Sequence, residues 1–289
     1  MRNLFASLTV LGASLTAAPA AIAAGLGQPV EWQMNLQQSA SPVMTFIRDF
    51  HNGLVILTTI ICLFVLALLI WVCVKFNAKA NPVPSRTTHN TLVEVVWTVV
   101  PILILIGIAI PSFRLLYFQR DFPAAEMTVK AIGNQWFWSY EYPEHDVSFD
   151  QYLKAKEDLK DGEPYLLATD TEVVVPVNKI VRVIVTANDV LHAWTIPSFG
   201  SKIDAVPGRL NETWFKAEKE GVFYGQCSEL CGKDHAYMPI TVRVVSEDEY
   251  AAWLEKAKTA GVEQAQEHLA GILKTRAKLA LGTAGGSAN

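Results

Sequence analysis

At 289 residues the chain is longer than a typical single domain, and with 51% apolar against 18% charged residues it is too apolar to be soluble throughout. Part of it is therefore expected in lipid. The net charge of −4 is unevenly spread: between Arg120 and Arg243 nineteen acidic residues stand against thirteen basic ones. That surplus repels nucleic acid and would attract a basic partner, although plain solubility explains it as well.

The chain opens with Arg2, an apolar stretch from Leu4 to Leu15 and small residues ending Ala21-Ile22-Ala23, which reads as a signal peptide over residues 1–24. A polar exported segment, 25–53, follows. Residues 54–74 form an unbroken apolar run and 92–113 a second, each long enough to cross about 30 Å of hydrocarbon as a helix. Trp97 and Phe113 lie toward the ends of the second run, where aromatic rings favour the interface, and Pro101 lies inside it. The connecting residues 75–91 carry Lys75, Lys79 and Arg86 and no carboxylate, so they are expected on the cytoplasmic side, with both ends of the hairpin outside. Glu94 breaks the apolar pattern at the cytoplasmic mouth of the second helix. A carboxylate there either rests at the interface or handles protons.

From Met127 the texture changes. Met127 to Ile132, Ile180 to Thr186 and Ile240 to Val244 alternate as strands do, and Glu172 to Val177 is β-rich, with Pro176 arguing against a central position. Short strands separated by Gly, Pro, Asn and Asp predict a β-sandwich or barrel over 119–245, interrupted by a charged, partly helical insertion from Asp146 to Tyr165. Ser246 to Glu249 fits a capping box, so 246–289 is expected to be a helical tail, disordered from Gly282.

There are four cysteines. Cys62 and Cys73 lie in the first apolar run and read as small hydrophobes. Cys227 and Cys231 lie in the exported part, where a disulfide is the ordinary expectation. No Cys-x-x-Cys-His occurs, so no c-type haem attachment is implied. Yet the segment from Gly225 to Pro239 also holds His235 and Met238, and two thiolates, an imidazole and a thioether are the ligands copper selects. The four-residue spacing of 227, 231 and 235 also suits one face of a helix, though Gly225, Gly232 and Pro239 favour a loop. Zinc remains an alternative, but has little use for a thioether.

A single-copper site needs one Cys and two His. The second Cys instead allows two bridging sulfurs to hold two copper ions, with His192 and His235 as terminal imidazoles. Met238 then serves as a weak ligand to one ion and the Glu229 carbonyl to the other. His192, in Leu191-His192-Ala193-Trp194, would rate as structural on its own. A ligand from one strand end joined to a later loop is, however, how cupredoxin-like sandwiches build copper sites.

On Cys227-Ser228-Glu229-Leu230-Cys231, His235, Met238, His192, the run Gln135-Trp136-Phe137-Trp138-Ser139-Tyr140 and the two-span hairpin, residues 30–245 resemble subunit II of aa3-type haem–copper cytochrome c oxidases. The resemblance implies an α+β membrane protein: a transmembrane hairpin followed by an exported cupredoxin-like domain, in the bacterial inner membrane with its N-terminus and copper domain periplasmic. It implies a dinuclear copper centre (CuA), magnesium held through Glu229 at the junction with subunit I, and no haem in this chain. Electrons would come from cytochrome c and pass to haem in subunit I, where oxygen is reduced to water with proton pumping. Subunits I and III and membrane lipid would be its partners.

By the same resemblance electrons enter at Trp136, although Trp136, Trp138 and Tyr140 alternate as a core-facing strand would. Glu94 would lie at the entrance of a proton path, and Glu141, Asp150, Asp161 and Asp189 would dock cytochrome c. Asn134 departs from the pattern, in which a His often precedes the Gln-Trp pair. Competing functions are a copper-free quinol oxidase subunit, against which the intact ligands speak; a nitrous oxide reductase copper domain, which lacks such a hairpin; and a copper chaperone, which favours labile Met- and Cys-rich sites.

Overall fold

The computed structural model describes residues 26–285 and divides them into two compact units, one formed by residues 46–121 and the other by the chain on either side. The signal peptide expected over 1–24 lies outside the described residues.

The first unit is a helical hairpin. Helix α1 spans Pro42–Lys75 and α2 spans Thr91–Arg120, so α1 begins a dozen residues before the apolar run. Asn90 caps α2: its side-chain oxygen accepts from Val93 N at 3.1 Å, and Glu94 sits in the first turn, where the helix dipole favours a negative charge. Nearly every apolar side chain from Val55 to Val74 points outward, as do most of those from Leu92 to Phe113. Such surfaces are stable only in hydrocarbon, where an α-helix also satisfies its own backbone polar groups. These are membrane spans. Pro101 and Pro111 lie within α2.

The second unit is a β-sandwich with strands β1 Met127–Asn134, β2 Phe137–Tyr142, β3 Val147–Gln151, β4 Val173–Pro176, β5 Ile180–Ala187, β6 His192–Ile196, β7 Ser201–Ala205, β8 Asn211–Lys216, β9 Gly221–Gln226 and β10 Pro239–Val245. One sheet runs β3-β2-β1-β5-β8, a second β4-β10-β9, and β6 pairs with β7. β5 shows why: Val181, Val183, Val185 and Ala187 point into the core while the residues between them do not. β1 lies parallel to β5, with Gly133 opposite Ala187, and antiparallel to β2, with Gly133 opposite Trp138. Pro176 ends β4, an edge strand, where a missing N–H costs little. Trp138, Tyr140, Tyr142, Trp194, Phe199, Phe215 and Phe223 fill the interior.

The charged insertion contains β3 and, in place of a longer helix, only a short 3-10 turn at Lys156–Asp158. Its anchor is Lys154, which grips both oxygens of Glu163 at 2.8 Å. After the sandwich come α3 Glu247–Ala260 and α4 Val262–Gly285. Ser246 and Glu249 form a complete capping box, and Trp253 buries itself against Tyr142, ring centroids 5.4 Å apart. Helix α4 continues through Gly282, where disorder was expected to begin, and residues 286–289 lie outside the described part.

Candidate metal centre

Three segments converge on one end of the sandwich: the turn between β1 and β2, the loop from β5 to His192 at the start of β6, and the loop between β9 and β10. The β9–β10 segment is a loop, with only a short 3-10 turn at His235–Tyr237. It is stitched down by Ser228 N donating to Ala193 O at 3.0 Å and by Cys227 N donating to Met238 O at 3.3 Å. Gly232 adopts φ +125°, and a β-carbon there would stand 2.9 Å from the Trp136 ring, so glycine is required on both counts.

Cys227 Sγ and Cys231 Sγ lie 3.8 Å apart, both buried and both free. A disulfide would bring them to about 2.05 Å. His192 Nδ1 is 3.8 Å from Cys227 Sγ and His235 Nδ1 is 3.4 Å from Cys231 Sγ, so each imidazole pairs with a different sulfur. Met238 Sδ is 3.5 Å from Cys231 Sγ, and the Glu229 carbonyl oxygen is 3.3 Å from Cys227 Sγ. The ligand atoms of His192, Cys227 and Cys231 all lie within 4.8 Å of one another. Such gaps between sulfur and nitrogen suit a shared first-row metal ion, whose bonds run about 2.3 Å to sulfur and 2.0–2.1 Å to nitrogen. Two soft sulfurs, two imidazoles and a thioether fit copper.

The two thiols differ in acidity. Burial disfavours the Cys227 thiolate, but the His192 hydrogen bond and the Glu229 and Ala193 backbone outweigh it and bring the pKa down to about 7. Cys231 is pushed up to about 12, by burial first and then by the neighbouring Cys227 charge. Metal binding at this pair must therefore displace a proton.

The imidazole of His192 is fully buried, and its Nε2 lies 2.9 Å from Asp189 Oδ1. Asp189 Oδ2 accepts from Gln135 N at 2.7 Å. Burial alone would raise this carboxyl, but the bonds from His192, Val190 and Gln135 hold it below the usual range. Trp138 approaches His192 edge-on, with ring centroids 6.0 Å apart.

Trp136 is not part of a strand. It occupies the β1–β2 turn, half-exposed, and its indole N–H donates to Cys231 O at 3.2 Å, while Gln135 Nε2 donates to the same oxygen at 2.8 Å. Lys233 Nζ sits 5.9 Å from the Trp136 ring centroid. The strand alternation stops at this turn: Trp138, Tyr140 and Tyr142 are core, and Trp136 belongs to the ligand loop's surroundings.

The remaining candidates are more scattered. Glu141 pairs with Lys130 at 3.0 Å, Asp150 accepts from Ser139 Oγ at 2.6 Å, and Asp161 stands exposed in the insertion. Gly133 went unnoticed in the sequence, and Gln135 was read only as part of the aromatic run. The Asp-x-x-His spacing of 189 and 192 was the available signal for the carboxylate–imidazole contact.

The sequence matches the family described as cytochrome C oxidase subunit II, transmembrane domain, over residues 29–115, and that described as cytochrome C oxidase subunit II, periplasmic domain, over 127–245. It is 50% identical over 228 residues to a probable cytochrome c oxidase subunit 2 of Rickettsia bellii, covering 78% of this chain and 85% of that protein. It is 47% identical over 251 residues to cytochrome c oxidase subunit 2 of Cereibacter sphaeroides, covering 81% and 83%. A crystal structure of the periplasmic domain of subunit II of cytochrome oxidase of Bradyrhizobium japonicum shares 59% identity, covering 47% of this chain and 96% of that one, with a TM-score of 0.45.

Proposed function

The chain belongs to the cytochrome c oxidase subunit II family, and we propose that its Cys227, Cys231, His192, His235, Met238 and Glu229 carbonyl hold that subunit's dinuclear copper centre. It is the electron-transfer subunit of a haem–copper oxidase, a membrane protein of the bacterial cell with its copper domain exported. The observation that carries the ligand assignment is the pair of free sulfurs 3.8 Å apart, each with its own imidazole. Copper held by these residues would supply a one-electron carrier.

The chain's own residues do the rest. Trp136 presents an aromatic face at the surface and hydrogen-bonds through its indole to the Cys231 carbonyl, which suits it to receive electrons from cytochrome c. Glu141, Asp150, Asp161 and Asp189 supply negative charge toward a basic donor, an attraction that speeds encounter and weakens with salt. The Glu229 carboxylate offers hard oxygen to magnesium at a junction with subunit I, whose haem receives the electron. Glu94, at the first turn of α2, serves as the entrance of a proton path. Subunit III and membrane lipid are further partners. In domain terms, 25–53 is exported, 54–74 and 92–113 cross the bilayer, 75–91 is cytoplasmic, 119–245 carries copper, and 246–289 is the tail.

Electron spin resonance on the copper-loaded full-length protein tests the ligand assignment. Hyperfine structure from one electron shared equally by two copper nuclei is expected, and Cys227→Ser is expected to abolish it. A single-copper pattern in the unaltered protein would overturn the reading.

A further inference from the structure

Asp189 is exposed where the family resemblance implies a docking charge, yet both of its carboxylate oxygens accept hydrogen bonds from the protein itself. Oδ1 lies 2.9 Å from His192 Nε2 and accepts from Val190 N at 2.7 Å, and Oδ2 accepts from Gln135 N at 2.7 Å. We propose that Asp189 is a positioning residue that fixes two geometries at once: the ring angle of His192 and the seat of the turn carrying Trp136. The proposal rests on the copper assignment above.

The argument begins with the proton. A carboxylate facing Nε2 holds an N–H there whatever Nδ1 carries, while Nδ1 is aimed at Cys227 Sγ, 3.8 Å away. A ring with its proton fixed on Nε2 is the one that can offer Nδ1 to a metal, and an outer carboxylate is the usual device for fixing it. The second oxygen then ties the same side chain to the β1–β2 turn. Gln135, held at its backbone N by Asp189, reaches with its own side chain to Cys231 O at 2.8 Å, and Trp136 joins it on that oxygen. The contacts close a ring: Asp189 to His192, His192 to Cys227, Cys227 to Cys231, Cys231 to Gln135, and Gln135 back to Asp189.

Substitutions separate this role from donor steering. Asparagine keeps the size but has one acceptor oxygen where three N–H donors converge, so its amide must turn a donor toward a donor. Glutamate keeps the charge, and hence the steering, but its extra methylene moves the carboxylate off both partners.

The test uses full-length protein labelled with 15N-histidine, as wild type, Asp189→Asn and Asp189→Glu. In the metal-free protein, at a pH where the ring is neutral, the wild-type His192 proton is expected on Nε2, with a mixture of tautomers in both variants. With copper loaded, both variants are expected to change the spin resonance splitting and to bind copper about 10–100-fold more weakly. In the intact oxidase, electron acceptance at saturating c-type cytochrome should slow by about tenfold in both, while Asp189→Glu retains the wild-type salt dependence. If both variants keep the wild-type tautomer and spectrum, and only the salt-dependent association of Asp189→Asn changes, the positioning role is overturned and steering alone remains. A wild-type protein lacking the shared-electron pattern would sink the copper assignment instead, and the metal-free ring measurement would still decide this one.

Discussion

Gly133 runs so close beneath His192 that a β-carbon added there would stand 2.8 Å from the imidazole ring. The strand is ordinary extended backbone, so closeness, and not conformation, makes glycine necessary. Asp189 holds the ring at Nε2. Gly133→Ala is expected to tilt His192 away from Cys227, weaken copper binding at least tenfold and cost about 1–3 kcal/mol of stability through overpacking. Copper titration and thermal unfolding check both parts; wild-type affinity in the variant would show that the ring is not a ligand.

Trp136→Phe removes the indole donor while Gln135 Nε2 continues to satisfy the Cys231 carbonyl. The stability loss should stay within about 0.5–1.5 kcal/mol. Reduction by cytochrome c, followed by stopped flow, should nevertheless slow far more than that loss explains. Unchanged rates would remove Trp136 from the electron route.

Acid should loosen the charged insertion before the rest of the sandwich. Burial alone would raise Glu163, but the Lys154 hydrogen bond and the Lys160 backbone N–H prevail and hold its carboxyl below the ordinary 4.5. A carboxyl depressed in the folded state contributes fully above its unfolded pKa and loses that contribution as pH falls through the folded value. Stability in this loop is thus present at neutral pH and declines below about pH 4.5. Hydrogen exchange of residues 152–170, corrected for intrinsic rates, should accelerate there, and Glu163→Gln should show the faster exchange already at pH 7.

Trp253 is completely buried, packed between Tyr142 of β2 and Tyr250 of its own helix. Trp253→Ala is expected to cost about 3–5 kcal/mol, a cavity penalty that denaturant unfolding would register. A loss under 1 kcal/mol would mean that α3 adds nothing to the sandwich.

The hairpin and the ligand loop were readable in the chain because each is written locally: two long apolar runs, the second interrupted by Glu94, for one, and four soft ligands within twelve residues for the other. Trp136 was ambiguous for a physical reason. Period-two alternation continues through it, and only the turn at 135–136, which alternation does not report, takes it out of the core. Short strands such as β6 and β7 carry too few residues for a pattern, although only four residues separate them. Asp189 stands three residues from His192, which set it apart from the other docking candidates, but its bond from the Gln135 backbone, in the β1–β2 turn, has no local signal. At the end of the tail Gly282 suggests disorder, and α4 runs on to Gly285.

The Cys231 carbonyl oxygen, taking one hydrogen bond from Gln135 and another from Trp136, ties the surface ring to the backbone of the ligand loop. On the proposed route through Trp136, a donor arriving at varied angles would still meet a ring whose distance from the ligand-loop backbone these two bonds hold steady.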